Sequence, residues 1–138
     1  MERHMLVKVI SRSRYDDGSE CMTFTGKGLL RRTEQGFRLR YAASDDSGAK
    51  TASDVTVENG AAQLRLLGEN GYTMVLDPEK PTEAPIPTDM GKLSIRVVTH
   101  RLDWRLDDTQ GALTMEYTLL AQGTAFSHMS VSIEMRNE

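Results

Sequence analysis

The sequence predicts an all-β protein: an antiparallel, mostly up-and-down β-barrel of eight to ten strands with little helix. Apolar and polar residues alternate with period two in most segments, for example in residues 37–41 and 113–119. Because successive side chains of a strand point to opposite faces, each such segment places one face in a core and the other in water. Turns rich in Gly, Asn and Asp separate these segments, and none of them shows the period of an amphipathic helix.

Six strands are predicted in the first half of the chain. They cover residues 5–13, 21–30, 37–43, 55–57, 61–67 and 72–76. The turns between them include Asp16-Asp17-Gly18 and Asn59-Gly60, which supply residues that tolerate the positive φ of a tight hairpin.

Two glycines, Gly26 and Gly28, continue the inward face of the second strand after Phe24. Alternating glycines inside a strand indicate either a bend that curves a barrel or the close approach of another backbone. Simple curvature is favoured over a ligand that occupies the free space.

All four prolines of the chain fall within residues 77–89. Proline lacks the N–H that a sheet ladder requires, and it holds the preceding residue in extended geometry. The segment is therefore predicted to be a stiff, extended crossing rather than a strand. A structural lid or crossover is favoured over a proline motif recognised by a partner.

The apolar alternation changes phase in the run that begins at residue 90. One parity is held by Leu93, Ile95 and Val97, and the opposite parity by Val98, His100, Leu102, Trp104 and Leu106. A change of phase within one extended run predicts a β-bulge, or a corner where two strands meet. The final predicted hairpin joins residues 113–119 to residues 129–135 around Gln122-Gly123.

Length, charge and cysteine content restrict the function classes. The 138 residues form one predicted domain, residues 1–138, with 17 basic and 20 acidic side chains and a net charge of −3. Nucleic-acid binding is disfavoured, because such proteins usually carry a basic excess. Cys21 is the only cysteine, which excludes an intrachain disulfide and favours the cytoplasm. The polar first residues do not resemble a signal peptide, and no apolar run approaches the roughly 18–20 residues that span a bilayer.

No constellation of catalytic or metal-binding residues stands out. His4, His100 and His128 lie far apart in the sequence, so independent histidines are favoured over a three-histidine metal site. The paired aspartates fall in turns, where Asp bonds its own backbone, which is favoured over an acid–base pair. The sequence has neither a nucleophile elbow nor a phosphate-binding loop. We therefore expect neither catalysis nor a cofactor.

The chain also carries a family resemblance, densest over its last third. The residues concerned are Thr88, Met90-Gly91, Leu93, Ile95, Thr99, Leu106-Asp107, Gly111, Leu113, Met115-Glu116-Tyr117, Ser127, Met129, Val131 and Ile133. In this pattern the chain resembles the YwiB-like family of small bacterial proteins, a domain of unknown function. The resemblance implies a calycin-like β-barrel related to lipocalins, and it supplies no known reaction or catalytic residues. The chain departs from the family pattern at Ala43, Met90 and His128.

Polar groups on the inward face of the predicted barrel suggest a binding role. The candidates to line a small cavity for a partly apolar ligand are Tyr41, Thr99, His100 and Tyr117, with residues 78–89 bordering one end. A filled interior is equally natural, because eight strands enclose just enough room for side chains. The predicted function is a non-enzymatic, cytoplasmic ligand-binding barrel without metal, membrane or nucleic-acid partner. The alternative is a protein-interaction module or homodimer that uses an exposed strand edge or the barrel rim.

Overall fold

The computed structural model describes residues 2–138 and contains, within them, ten strands and no helix. In chain order the strands are β1 (Glu2–Tyr15), β2 (Gly18–Thr33), β3 (Gly36–Ser44), β4 (Lys50–Glu58), β5 (Ala61–Leu66), β6 (Thr73–Leu76), β7 (Thr82–Thr88), β8 (Gly91–Leu106), β9 (Gln110–Ala121) and β10 (Thr124–Asn137). The described residues include no helix with the length and hydropathy that crossing a membrane requires.

All ten strands belong to one antiparallel sheet. Each strand pairs with its successor along the chain, except that β6 and β7 form the two ends of the sheet. The first and last strands complete the barrel, because β1 pairs with β10 from Met5 opposite Asn137 to Arg14 opposite His128. The structure therefore confirms an all-β, up-and-down, calycin-like barrel that is closed except between β6 and β7, a junction we call the seam.

The inward faces of the strands form one apolar core. Its largest fully buried side chains are Phe37, Met5, Leu30, Leu39, Leu76, Leu113, Met115 and Ile133. Phe37 on β3 meets Trp104 on β8 edge to face, with ring centroids 5.3 Å apart and an interplanar angle of 67°. Because this contact joins two walls that are not neighbours in the sheet, side chains fill the barrel at that level.

Gly26 and Gly28 lie where β2 comes very close to β3. A Cβ atom at Gly26 would overlap the carbonyl oxygen of Ala42, and one at Gly28 would lie 2.7 Å from the carbonyl oxygen of Arg40. A larger residue at either position would force the two strands apart. Close approach of a neighbouring backbone, one of the interpretations that the sequence offered, therefore accounts for both glycines.

The proline-rich segment contains a strand, so the prediction of a crossing without one was wrong. In β7, Pro85 lies opposite Ser94 of β8 and Pro87 lies opposite Lys92. The two prolines are two residues apart, so their ring nitrogens face the same side of the strand. Because β7 is an end strand, the backbone N–H groups on one of its sides have no partner strand to donate to. Prolines, which lack this N–H, are tolerated when they face that side.

The predicted β-bulge is confirmed, although its position differs from the one that the alternation suggested. The register of β8 against β9 shifts between Thr99 and Arg101, which leaves His100 as the extra residue. Before the bulge, Ile95, Val97 and Thr99 are buried. After it, Leu102, Trp104 and Leu106 pack against the core. The grouping of His100 with these last three inward residues was therefore wrong.

Candidate functional site

Three of the four predicted site residues come together inside the barrel. Tyr41 on β3, Thr99 on β8 and Tyr117 on β9 are exposed by only 7%, 7% and 5%. Thr99 and Tyr117 are register partners on adjacent strands. The structure thus assembles a hydroxyl-bearing region, which we call the polar end of the core and which also contains the side chains of Ser53 and Tyr72.

Burial keeps the tyrosines of the polar end in their neutral form. It raises the pKa of Tyr117 well above its usual value, and the nearby Tyr72 and Tyr41 raise that pKa further. Burial also raises the pKa of Tyr72 and of Tyr41, with the Ser53 side chain acting in the opposite direction on Tyr41. These groups therefore act as hydrogen-bond donors and acceptors rather than as anions.

The hydroxyl of Thr99 is an unpaired polar group at this end of the core. Its Oγ1 atom is buried and has no hydrogen-bond partner among the described residues. Leaving such a group unpaired costs about 1–3 kcal/mol, so each case calls for a physical explanation. A ligand that hydrogen-bonds to Thr99 would recover that cost.

His100, the fourth predicted residue, lies on the outer face of the barrel. Its exposed side chain places Nε2 2.7 Å from Oγ1 of Thr118, and the same oxygen is 2.9 Å from Nδ1 of His128. Thr118 is only 6% exposed although it belongs to the outer face. One buried hydroxyl therefore links the two rings, a contact that the sequence did not predict.

The linked histidines border a cavity of about 440 Å³ on the outer face. Its lining comes from β1, β2, β8, β9 and β10 and includes Arg12, Arg14, Glu20, Cys21, His100, Glu116, Thr118, His128 and Ser130. Sequence reasoning missed Thr118 and the pairing of His128 with it. We call this region the outer histidine cavity.

A second, larger depression of about 930 Å³ lies farther along the same strands. Its charged lining residues are Lys8, Lys27, Arg105, Asp107, Glu134 and Arg136. Four of these side chains are basic and two are acidic, and Lys27 forms a salt bridge of 2.7 Å with Glu138. The mixed charge gives this depression no clear preference for one ligand class.

The arrangement of histidine, cysteine and acidic residues gives no metal centre. Among residues 2–138, no three such side chains are grouped closely enough to hold a metal ion. His100 and His128 are joined through the Thr118 hydroxyl.

Comparison with known proteins supports the resemblance seen in the sequence. A search of the solved structures finds the crystal structure of the YwiB protein from Bacillus subtilis, with a TM-score of 0.82 at 19% sequence identity. The match covers 99% of this chain and 93% of that one, and at this identity it shows a shared fold. No curated protein matches the sequence. The family model described as "Domain of unknown function (DUF1934)" matches residues 7–133, and the chain therefore belongs to this YwiB-like family.

Proposed function

We propose that the protein is a non-enzymatic, cytoplasmic binding protein whose barrel holds a small, partly apolar molecule at the polar end of the core. The observation that carries the proposal is the unpaired, buried hydroxyl of Thr99 beside Tyr117. Binding sites for small molecules are mostly apolar with a few convergent polar groups, and the surroundings of Thr99 have this character.

The chemistry of the polar end favours an uncharged ligand. The tyrosines there are neutral, and Asp54, the one charged side chain among the buried residues that the structure describes, is directed to Arg38 and Arg40 on the outer face. Burying a ligand charge without a partner would cost far more than one hydrogen bond returns. We therefore infer an apolar body that carries one or two hydrogen-bonding groups directed at Thr99 and Tyr117.

The seam offers a path for such a molecule into the barrel. β6 and β7 share no strand pairing among the described residues, and the Thr82 hydroxyl donates to the Val75 carbonyl oxygen at 2.5 Å. Opening there breaks fewer backbone hydrogen bonds than opening between any two paired strands. The proline strand β7 thus borders the proposed path.

A neutral fluorescent probe, N-phenyl-1-naphthylamine, tests this proposal. We expect saturable binding to the wild-type protein and about fivefold weaker binding to Thr99→Val and to Tyr117→Phe, because each change removes about one hydrogen bond. Thr23→Val is the matched control, since Thr23 is exposed on β2 and should leave the affinity unchanged. Absence of saturable binding, or an equal loss in the control variant, contradicts the proposal.

A second candidate is self-association through the barrel rim. Met90, in the turn between β7 and β8, is 91% exposed, and Leu93 nearby is 42% exposed. Exposed apolar residues at a strand edge are typical of interaction surfaces. Light scattering decides between the two: a dimer that becomes a monomer in Met90→Ser supports this candidate, and a wild-type monomer excludes it.

A further inference from the structure

We propose that the outer histidine cavity is a binding site for the phosphate group of a small phosphate monoester. The arginines, histidines and threonine that the proposal uses lie on the opposite face of the sheet from the polar end of the core, although Tyr117 of β9 also borders the cavity. Neither the barrel fold nor the interior ligand requires it. The proposal therefore stands or falls independently of the proposed function.

The polar residues of this cavity form a row across four adjacent strands. Arg14 of β1 lies directly opposite His128 of β10. His128 in turn lies opposite Thr118 of β9. The bulge of β8 then places His100 against the Thr118 hydroxyl. Side chains directly opposite each other on adjacent antiparallel strands have Cβ atoms about 5 Å apart, so the members of the row are near neighbours.

The second arginine comes from the same strand as the first. Arg12 and Arg14 are two residues apart on β1, so both side chains project from the outer face. Neither has a carboxylate within salt-bridge distance among the described residues. Arginine presents a planar fork of donors that suits phosphate oxygens, and these two forks are free to bind.

The hydrogen bonds of Thr118 orient the two histidine rings. A hydroxyl has one hydrogen, so Thr118 can donate to only one ring and must accept from the other. The atoms held by Thr118 are His100 Nε2 and His128 Nδ1, which leaves His100 Nδ1 and His128 Nε2 for a ligand. Because the hydroxyl is buried, the rings are positioned before a ligand arrives.

Two carboxylates of the cavity reduce its positive charge without pairing with its arginines. Glu116 lies 3.7 Å from Arg101, which it shares with Asp103, so Glu116 is balanced only in part. Glu20, the other acidic lining residue, lies opposite Ser13 of β1, outside the row of Arg14, His128 and Thr118. Neither carboxylate forms a salt bridge with the two arginines of β1, so both guanidinium groups can face the ligand.

The size and spread of the donors favour a phosphate monoester over a simpler anion. The donors come from β1, β8 and β10, and a tetrahedral group with three terminal oxygens can meet donors that converge from several directions. A cavity of about 440 Å³ also leaves room for the remainder of a small molecule beyond the phosphate. The side of the ligand away from the arginines would then rest on the exposed strand surface.

Phenyl phosphate is the probe that tests this site. We expect it to shift the imidazole NMR signals of His100 and His128 in a saturable manner, and to bind more tightly than inorganic phosphate. The variant with both Arg12→Met and Arg14→Met should bind at least about tenfold more weakly, because two charged donors are lost. Arg31→Met is the matched control, since Arg31 is exposed on β2 outside the cavity and should keep the wild-type affinity.

Two further ligands and one further variant complete the experiment. Phenol and benzoate should bind at least about tenfold more weakly than phenyl phosphate if the phosphate group is what the site recognises. Thr118→Val should weaken phenyl phosphate binding, because the two histidine rings lose the hydroxyl that orients them. The arginine variants change only side chains on the outer face, so they measure binding in a protein whose core is intact. Histidine signals that do not move, equal affinity in the double arginine variant, or equal affinity for benzoate would each overturn the proposal.

Discussion

Replacing Asp54 by asparagine tests how a buried carboxylate stabilises the outer face of β4. Asp54 is 6% exposed, whereas its partners Arg38 and Arg40 are 47% and 59% exposed. Arg38 donates from Nε to Oδ1 at 2.9 Å and from Nη2 to Oδ2 at 2.6 Å, and Arg40 adds a bond of 3.2 Å to Oδ2. A single buried acceptor thus collects three charged hydrogen bonds.

The expected loss of stability follows from this geometry. Asparagine keeps the shape of the side chain, but its NH₂ group faces an arginine donor in place of one oxygen. One hydrogen bond to a charged group is worth about 1.5–3 kcal/mol. The half-exposed arginines can replace part of the lost hydrogen bonding with bonds to water, so we expect Asp54→Asn to lower the free energy of unfolding by about 2 kcal/mol. For a domain of this size, such a loss lowers Tm by roughly 8 °C.

The effect of Asp54→Asn should also depend on pH. Hydrogen bonds from Arg38, and then from Arg40, hold the pKa of Asp54 below its usual value despite the opposing effect of burial. A carboxyl group whose pKa is lowered on folding stabilises the protein fully above its unfolded pKa of about 3.9, and this stabilisation is lost as the pH falls through the folded pKa. The difference between wild type and variant should therefore be constant near neutral pH and shrink below about pH 4.

Urea unfolding followed by the fluorescence of Trp104, the only tryptophan, measures these free energies. Asp103→Asn is the matched control. Its salt bridge with Arg101 is short, at 2.5 Å, but the two side chains are 62% and 54% exposed, so we expect a loss of at most about 0.5–1 kcal/mol. The reasoning is refuted if Asp54→Asn costs less than about 0.5 kcal/mol, or if the control costs as much as Asp54→Asn.

Three further predictions concern the strand contacts and the core. Gly26→Ala should destabilise the protein by about 2–3 kcal/mol in urea unfolding, because its Cβ meets the β3 backbone. Gly60→Ala is the control for Gly26→Ala: with a φ of 81° but open space around it, this change should cost only about 1 kcal/mol. Thr99→Val should raise stability by about 1 kcal/mol, since a methyl group replaces an unpaired hydroxyl; a lower stability would indicate that the hydroxyl is satisfied. Thr82→Val should speed hydrogen exchange of the β6 amides about fivefold, and unchanged exchange would show that the seam is held by other contacts.

The strands were predictable because period-two alternation directly reflects which face of each strand is buried. Whether the proline segment forms a strand could not be predicted from alternation. Whether a strand can contain Pro85 and Pro87 depends on its position at an end of the sheet, and strand order is a property of the whole barrel. A local rule about proline could not supply that information.

The bulge shows a similar limit. The change of phase between Val97 and Val98 predicted a bulge or a corner there, but the alternation placed it too early, because Val98 and His100 also suit the outer face. The structure places it at His100, and this single position moves the side chain from the interior to the outer histidine cavity. The interior positions of Tyr41 and Tyr117 followed from alternation alone, whereas that of Thr99 depended on the position of the bulge.

The contact between Thr118 and His128 was hidden by a second irregularity. Strict pairing outward from the Gln122-Gly123 turn would place Thr118 opposite Ser127. The register of β10 shifts between Ala125 and Ser127, and Thr118 instead lies opposite His128. A one-residue shift of this kind leaves little trace in a single sequence, because both residues are polar.

The pairing of β1 with β10 has a consequence for how the chain folds. Met5 pairs with Asn137, so β1 lacks one of its two neighbours until nearly the whole chain is available. Contacts between residues so distant in sequence carry a large loop-closure cost, and proteins dominated by them fold slowly, in milliseconds to seconds. The outer histidine cavity spans this last junction, since Arg14 and His128 meet across it. A molecule bound there would hold the first and last strands together and would slow unfolding, because it binds only the closed barrel.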